Sequence, residues 1–150
     1  MENINTIVIG ADHAGFELKE ELKKYLTEAG YGVIDKGALQ KDETDDYPDF
    51  VIPVARQVAG DPEHCRGIII GGSGQGEAIS ANRIKNARAV VYYGGNTEII
   101  KLSREHNNAN ILSLGARFIS TEEAKDTVTL WLNTPFSNEE RHIRRISKID

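Results

Sequence analysis

The sequence predicts an α/β protein: a doubly wound five-stranded parallel sheet, Rossmann/flavodoxin-like, with a C-terminal tail helix. Five short apolar runs carry this reading: Thr6 to Ile9, Val33-Ile34, Arg66 to Ile70, Ala87 to Tyr92 and Ile111 to Leu114. Continuous β-branched runs read as strands buried on both faces. Stretches of helical period lie between them, and strict strand–helix alternation implies a parallel sheet covered on both sides. Loops that follow the strands begin at Gly10, Lys36, Gly71, Gly94 and Gly115, so glycines gather on one edge. Ligands of such sheets bind beyond the carboxyl ends of the strands, where strand order reverses. That edge is the expected site.

Each helix has a local cause. From Phe16 to Ala29, Leu18, Leu22, Tyr25, Leu26 and Ala29 share one helical face, and Gly30 follows as a stop. After an acidic loop from Lys36 to Asp46, Pro48 sits where a helix starts, with Val51, Val54, Ala55 and Val58 as its apolar face. A helix is expected over 78–82, and another over 97–106. Ser120 and Glu123 have capping-box spacing, opening a helix through Leu132. Thr134-Pro135 breaks it, and a basic helix over about 138–149 closes the chain. No linker or repeat divides the chain, so residues 1–150 are expected to form one domain.

Composition narrows the function. A chain of 150 residues, 39% hydrophobic and 27% charged, is ordinary for a globular protein. At this length ~70% of the unfolded surface is buried, enough for a core without staples. A net charge of −5 argues against non-specific nucleic-acid binding, which needs a basic face. No apolar run approaches the ~18 residues of a membrane span, and no secretory leader is visible. The single cysteine, Cys65, forms no intramolecular disulfide and fits a reducing cytoplasm. Four scattered histidines and one cysteine show no metal-ligand spacing along the sequence.

The stretch Ile68 to Glu77 is the most informative. Three isoleucines run into four glycines among six positions, and a carboxylate follows. Glycines permit close approach of backbone to ligand, and exposed N–H groups favour negative oxygens. Glu77 stands beside them. An enzyme that takes a proton from carbon and holds the resulting oxyanion needs this pairing. A tight turn is the competing reading. No Lys-Ser or Lys-Thr closes a Walker loop, and the spacing misses the dinucleotide fingerprint. A helix start lowers a carboxylate pKa while burial raises it, and the residues leave that contest open.

Other candidates carry paired readings. Asp12-His13 follows the first strand, either as a helix cap or as ligands on the active edge. His106-Asn107-Asn108 ends a helix, either as a C-cap or with His106 as a proton shuttle. Arg141 and Arg145 share a face of the tail helix, either solvated or suited to a phosphate. Cys65 reads as a small structural residue.

Together several motifs resemble ribose-5-phosphate isomerase B and its relatives, the galactose-6-phosphate isomerase subunits. They are Gly10 to Gly15, Asp46-Tyr47-Pro48, Gly71 to Glu77, Ala81-Asn82-Arg83, Arg104 to Ala109, Gly115-Ala116-Arg117 and Arg141 to Arg145. The resemblance spans about residues 6 to 147. It implies an aldose–ketose isomerase of the pentose phosphate pathway, interconverting ribose 5-phosphate and ribulose 5-phosphate, with neither metal nor organic cofactor. One form of the family has a catalytic cysteine where this chain has Gly71. The other has glycine there and a glutamate after the loop, so the base carries over to Glu77. The resemblance implies that His106 opens the sugar ring with Asn107 beside it. Ser73, Gly72, Gly74 and Gly76 would cradle the oxyanion, at about 3–4 kcal/mol per donor in comparable sites. Asp12 would hold a sugar hydroxyl, and Tyr47 would neighbour the substrate. His13, Arg117, Arg141 and Arg145 would meet the phosphate. Tail arginines in the family reach a second subunit, implying a homodimer or tetramer with shared sites. Two alternatives stand: a hexose 6-phosphate isomerase for galactose or allose 6-phosphate, and a non-catalytic sugar-phosphate or nucleotide-binding regulator. In the latter Glu77 would repel the ligand.

Overall fold

The computed structural model describes residues 2–149. Five strands form one sheet: β1 (Thr6–Ala11), β2 (Gly32–Asp35), β3 (Cys65–Gly71), β4 (Ala89–Tyr92) and β5 (Ile111–Gly115). Every pairing is parallel, and the spatial order is β2-β1-β3-β5-β4. The order reverses at β1 and β3, since the chain leaves β1 for one side and returns to the other. The last two strands are exchanged relative to chain order. β5 is buried along its length and takes the interior position, while β4 is half-exposed and lies at the edge.

Helices α1 (Phe16–Glu28), α2 (Pro48–Gly60), α3 (Gln75–Ala81), α4 (Glu98–Glu105), α5 (Thr121–Asn133) and α6 (Glu140–Ile146) complete the chain. Right-handed crossovers fix their faces. Connections moving one way along the sheet place α2 and α3 together; those moving back place α1 with α4 and α5. Strand alternation feeds both layers. Ile7, Ile9, Ile68, Ile70, Leu112 and Leu114 pack with Leu22, Ile100 and the fully buried Trp131. Val8, Ile69 and Ile111 pack with Val51, Val54 and Val58.

Several boundaries differ from expectation. The third helix begins at Gln75 rather than Ala78, because Gly74 takes a left-handed conformation (φ +78°) that turns the chain straight into it. β4 begins at Ala89, since Asn86 at φ +70° ends a turn first. The tail helix is shorter than expected, Glu140–Ile146, because Asn138 at φ +58° holds the chain out of helical conformation. Ser120 caps α5 as expected, accepting from the Glu123 N–H at 3.1 Å.

Gly15 lets the first loop press onto β3. A Cβ there would stand 2.6–2.8 Å from the Ile70 side chain and backbone. Gly15→Ala is expected to cost about 1–3 kcal/mol through overpacking, seen as a lower denaturant midpoint with an unchanged slope.

Candidate active site

Where the order reverses, the loops after β1, β3 and β5 and the head of α2 enclose an open cleft of about 490 Å³. Asp12, His13, Tyr47 and Arg117 line it from those surroundings, and Gly72, Ser73, Gly76 and Glu77 form its floor. The structure therefore brings together most of the expected residues. Gly74 is the exception on this edge. It is buried behind the loop, its carbonyl accepting from the Ser113 hydroxyl at 2.6 Å, and it shapes the turn rather than lining the cleft.

The geometry turns on Gly71 and Glu77. A Cβ on Gly71 would overlap the Glu77 carboxyl, 1.7 Å from Oε1 and 2.1 Å from Cδ. The carboxyl thus occupies the volume that any side chain at 71 would need. Glu77 is buried, at 4% exposure. Burial raises its carboxyl above the ordinary range; its own backbone N–H works against this, and the charge of Asp12 adds to it. The contest left open by the sequence is decided by burial. A carboxylate raised toward neutral pH is a stronger base than one exposed on a surface.

Around it the loop is held open. The N–H groups of Gly72, Ser73 and Gly74 meet no acceptor among the described residues. Ser73 Oγ accepts from the Gln75 N–H at 3.3 Å. A Cβ on Gly72 would lie 3.1 Å from the Arg117 guanidinium, and one on Gly76 would lie 2.5 Å from the Tyr47 hydroxyl. Glycine at both positions lets these side chains close over the loop. Asp12 fulfils its capping reading, with Oδ1 accepting from Ala14 N–H at 3.0 Å and Gly15 N–H at 3.4 Å, while also lining the cleft. His13 Nδ1 lies 2.7 Å from Asp45 Oδ1.

The remaining expected residues lie elsewhere in the protomer. His106 is the C-cap of α4, just before β5, so it stands at the amino edge of the sheet. Strands rise about 3.3 Å per residue, so β5 alone separates it from the cleft edge by on the order of 15 Å. The tail joins it there. Ser137 N–H donates to the Glu105 carbonyl at 3.2 Å, and the His142 ring stacks on His106 at 4.3 Å and 18°. Asn107, Arg141 and Arg145 are exposed beside it. Within one chain His106 and Asn107 do not meet Glu77. Buried Arg104 fixes this corner, donating to the Thr134 carbonyl and to Asn108 Oδ1 at 3.1 and 2.9 Å and pairing with Glu2. Burial lowers its guanidinium to about 10.

Known proteins resemble this chain along nearly its whole length. The family model described as Ribose/Galactose Isomerase matches residues 7–149. The chain belongs to that family. Ribose-5-phosphate isomerase B of Mycobacterium tuberculosis is 43% identical over 140 residues, covering 93% of this chain and 85% of that protein. That of Escherichia coli is 41% identical over 143 residues, covering 95% and 93%. A solved structure of the Mycoplasma genitalium ribose-5-phosphate isomerase B with bound ribulose-5-phosphate superposes with a TM-score of 0.91. It has 36% identity and covers 96% of this chain and 93% of that one. The sheet and its helices are those of the family's solved structures.

Sequence reasoning missed three neighbours of these groups. Phe118 lines the cleft, and His142, 4% exposed, backs His106. Asp45 lies 32 residues from His13 and reaches it through tertiary structure alone. Ligand spacing is absent along the sequence but not in space: one ligand atom each of Asp12, His13 and Asp45 falls within 4.8 Å of the others. His142 had a signal, since it lies between two arginines expected at a site. Asp45 had none beyond its place in an acidic loop.

The raised Glu77 carboxyl has a consequence for stability. Its folded pKa exceeds the unfolded value, so its favourable contribution is complete below that unfolded value and lost as pH rises through the folded one. Glu77→Gln is therefore expected to melt higher than wild type at pH ~8 and to converge with it toward pH ~3.5, below the ordinary glutamate range. Thermal unfolding at the two pH values checks this.

Proposed function

We propose that the chain is an aldose–ketose isomerase that interconverts D-ribose 5-phosphate and D-ribulose 5-phosphate, with Glu77 as the base. The carrying observation is a buried carboxyl of raised pKa on the floor of a cleft whose loop N–H groups at Gly72, Ser73 and Gly74 have no acceptor among the described residues. Its family membership and the ribulose-5-phosphate bound to the Mycoplasma genitalium relative support the sugar.

The chemistry begins with ring opening, since only the free aldehyde acidifies the proton on C2. Glu77 removes that proton, and the C–H electrons form the C1–C2 double bond of an enediolate. Loop N–H groups and the Ser73 hydroxyl stabilise its oxygen. The O2 proton passes to O1, C2 becomes the ketone, and Glu77 returns its proton to C1. Asp12 and Tyr47 hold the sugar, and His13 and Arg117 face the phosphate. No metal or organic cofactor takes part.

The cleft of one protomer lacks four of these groups: His106, Asn107, Arg141 and Arg145. A second copy brings His106 to the ring oxygen, with Asn107, Arg141 and Arg145 alongside, so the active unit is a homodimer or a tetramer of such pairs. Each copy is one domain spanning residues 1–150, with its tail helix reaching the neighbour. We place the enzyme in the cytoplasm. Cys65 is a buried free thiol, and none of the described helices is long and apolar enough to cross a membrane.

Glu77→Gln is expected to lower kcat by about 10²–10⁴-fold while substrate binding persists. Assay of purified protein on ribose 5-phosphate, with chelator present, checks this; near-normal turnover by the variant defeats the assignment of the base. Parallel assays on galactose 6-phosphate and allose 6-phosphate separate the pentose reading from the hexose one. Gly71→Ala is expected to lose kcat by a comparable factor of roughly 10² or more, because its methyl group displaces the Glu77 carboxyl while the fold remains.

A further inference from the structure

We propose that Asp45 is a positioning residue for phosphate recognition, holding the His13 imidazole in the cleft so that its outer nitrogen presents a hydrogen to the anion. The inference rests on the reading that His13 meets the substrate phosphate. It assigns a role to a residue outside the cleft lining.

Asp45 Oδ1 receives two bonds from one residue: His13 Nδ1 at 2.7 Å and the His13 backbone N–H at 3.1 Å. A carboxylate is acceptor-only, so Nδ1 carries the hydrogen in this contact. The ring is held by its Nδ1 side, and Nε2 is the nitrogen available to a ligand. The neutral ring would offer a lone pair at Nε2, which repels phosphate; the cation offers N–H. The Asp45 side chain is 8% exposed, and its Oδ2 is buried with no hydrogen-bond partner among the described residues. His13 is the only cationic group paired with it among the described residues. Buried charge of this kind is compensated by a cation at close range.

Other charged and titratable groups stand around the same ring. Asp12 follows β1, Asp42 and Glu43 stand on the loop after β2, Tyr47 precedes α2, Glu77 lies on α3, and Arg117 follows β5. In the proposed assembly Arg141 and Arg145 of a second copy approach as well. The hydrogen bond that His13 donates to Asp45 is the largest influence on His13 and raises its pKa. Burial opposes it, and the charges of Asp12, Asp45 and Glu43 add to it.

Asp45→Asn separates positioning from bracing. Asparagine keeps an oxygen for the His13 backbone N–H and loses the charge. The experiment measures kcat and KM for ribose 5-phosphate across about pH 5.5 to 9, inhibition by inorganic phosphate, and the His13 ring titration by NMR. The variant is expected to keep kcat within about twofold and to raise KM and the phosphate inhibition constant about tenfold at pH 8. Its KM is expected to begin rising at lower pH than in wild type. The acid side of the profile follows the second ionisation of the substrate phosphate near pH ~6 and stays in place. Asp45→Glu is expected to restore part of the affinity. In a His13→Gln background, Asp45→Asn is expected to change KM by less than about twofold.

A KM profile superimposable on wild type overturns the proposal, as does an undiminished effect of Asp45→Asn in the His13→Gln background. Absence of turnover by the wild-type protein defeats the isomerase reading instead. The His13 titration and phosphate binding then decide this inference on their own: unchanged values in Asp45→Asn overturn it, and a lowered pKa with weakened phosphate binding sustains it.

Discussion

A side chain missing at one position makes room for a buried carboxyl at another. Gly71 ends β3 and faces the first turn of α3, where the Glu77 carboxyl fills the space a Cβ would claim. This closeness buries Glu77, and burial raises its pKa. The same geometry accounts for the two forms implied by the family resemblance. A cysteine at 71 and a glutamate at 77 would compete for one volume, so a chain has room for one of them. Gly72 and Gly76 repeat the logic at lower stakes, letting Arg117 and Tyr47 lie against the loop.

Parallel topology imposes the second constraint. Every strand runs the same way, so all strand ends share one edge and all helix ends that feed strands share the other. A residue that closes a helix just before a strand stands opposite the glycine loops. His106 is such a residue, and α6 is packed against it by the His142 stack. The chain therefore presents two groups of residues on opposite edges: a cleft with a buried carboxyl, and a corner with a histidine and guanidinium groups. Arg104 sacrifices exposure and hydration to fix that corner, and its several acceptors offset the cost of burying a charge.

Much of this was legible in the residues. β-branched runs located all five strands, and Ser120, Pro48 and Gly30 marked helix ends because caps and turns are local chemistry. The exchange of β4 and β5 was not legible, since alternation records the order of elements and not their neighbours. Glu77, Asp12 and His13 shared an edge by topology alone. The opposite placement of His106 was implicit in the same alternation, a helix end before a strand, but residue type alone does not say which edge a side chain occupies. Asp45 belonged to no pattern, because its contact with His13 depends on how the loop after β2 folds over the end of β1.

That loop explains how one small cleft treats two ionisable side chains differently. Glu77 sits buried on the floor against Gly71, with little beyond its own N–H to stabilise the anion; the proton is therefore held more tightly. His13 sits at the rim, where the acidic loop supplies an acceptor and several negative charges, so its cation is favoured. On the proposed reading the cleft both removes a proton from carbon and grips a dianion, which calls for a strong base and a stable cation within one cavity. Environments that push neighbouring groups in useful directions supply both without altering either side chain. The acidic stretch from Asp42 to Asp46 is thus more than a solvated turn. Its negative charge, placed behind His13 rather than in the cleft, favours the His13 cation at the rim.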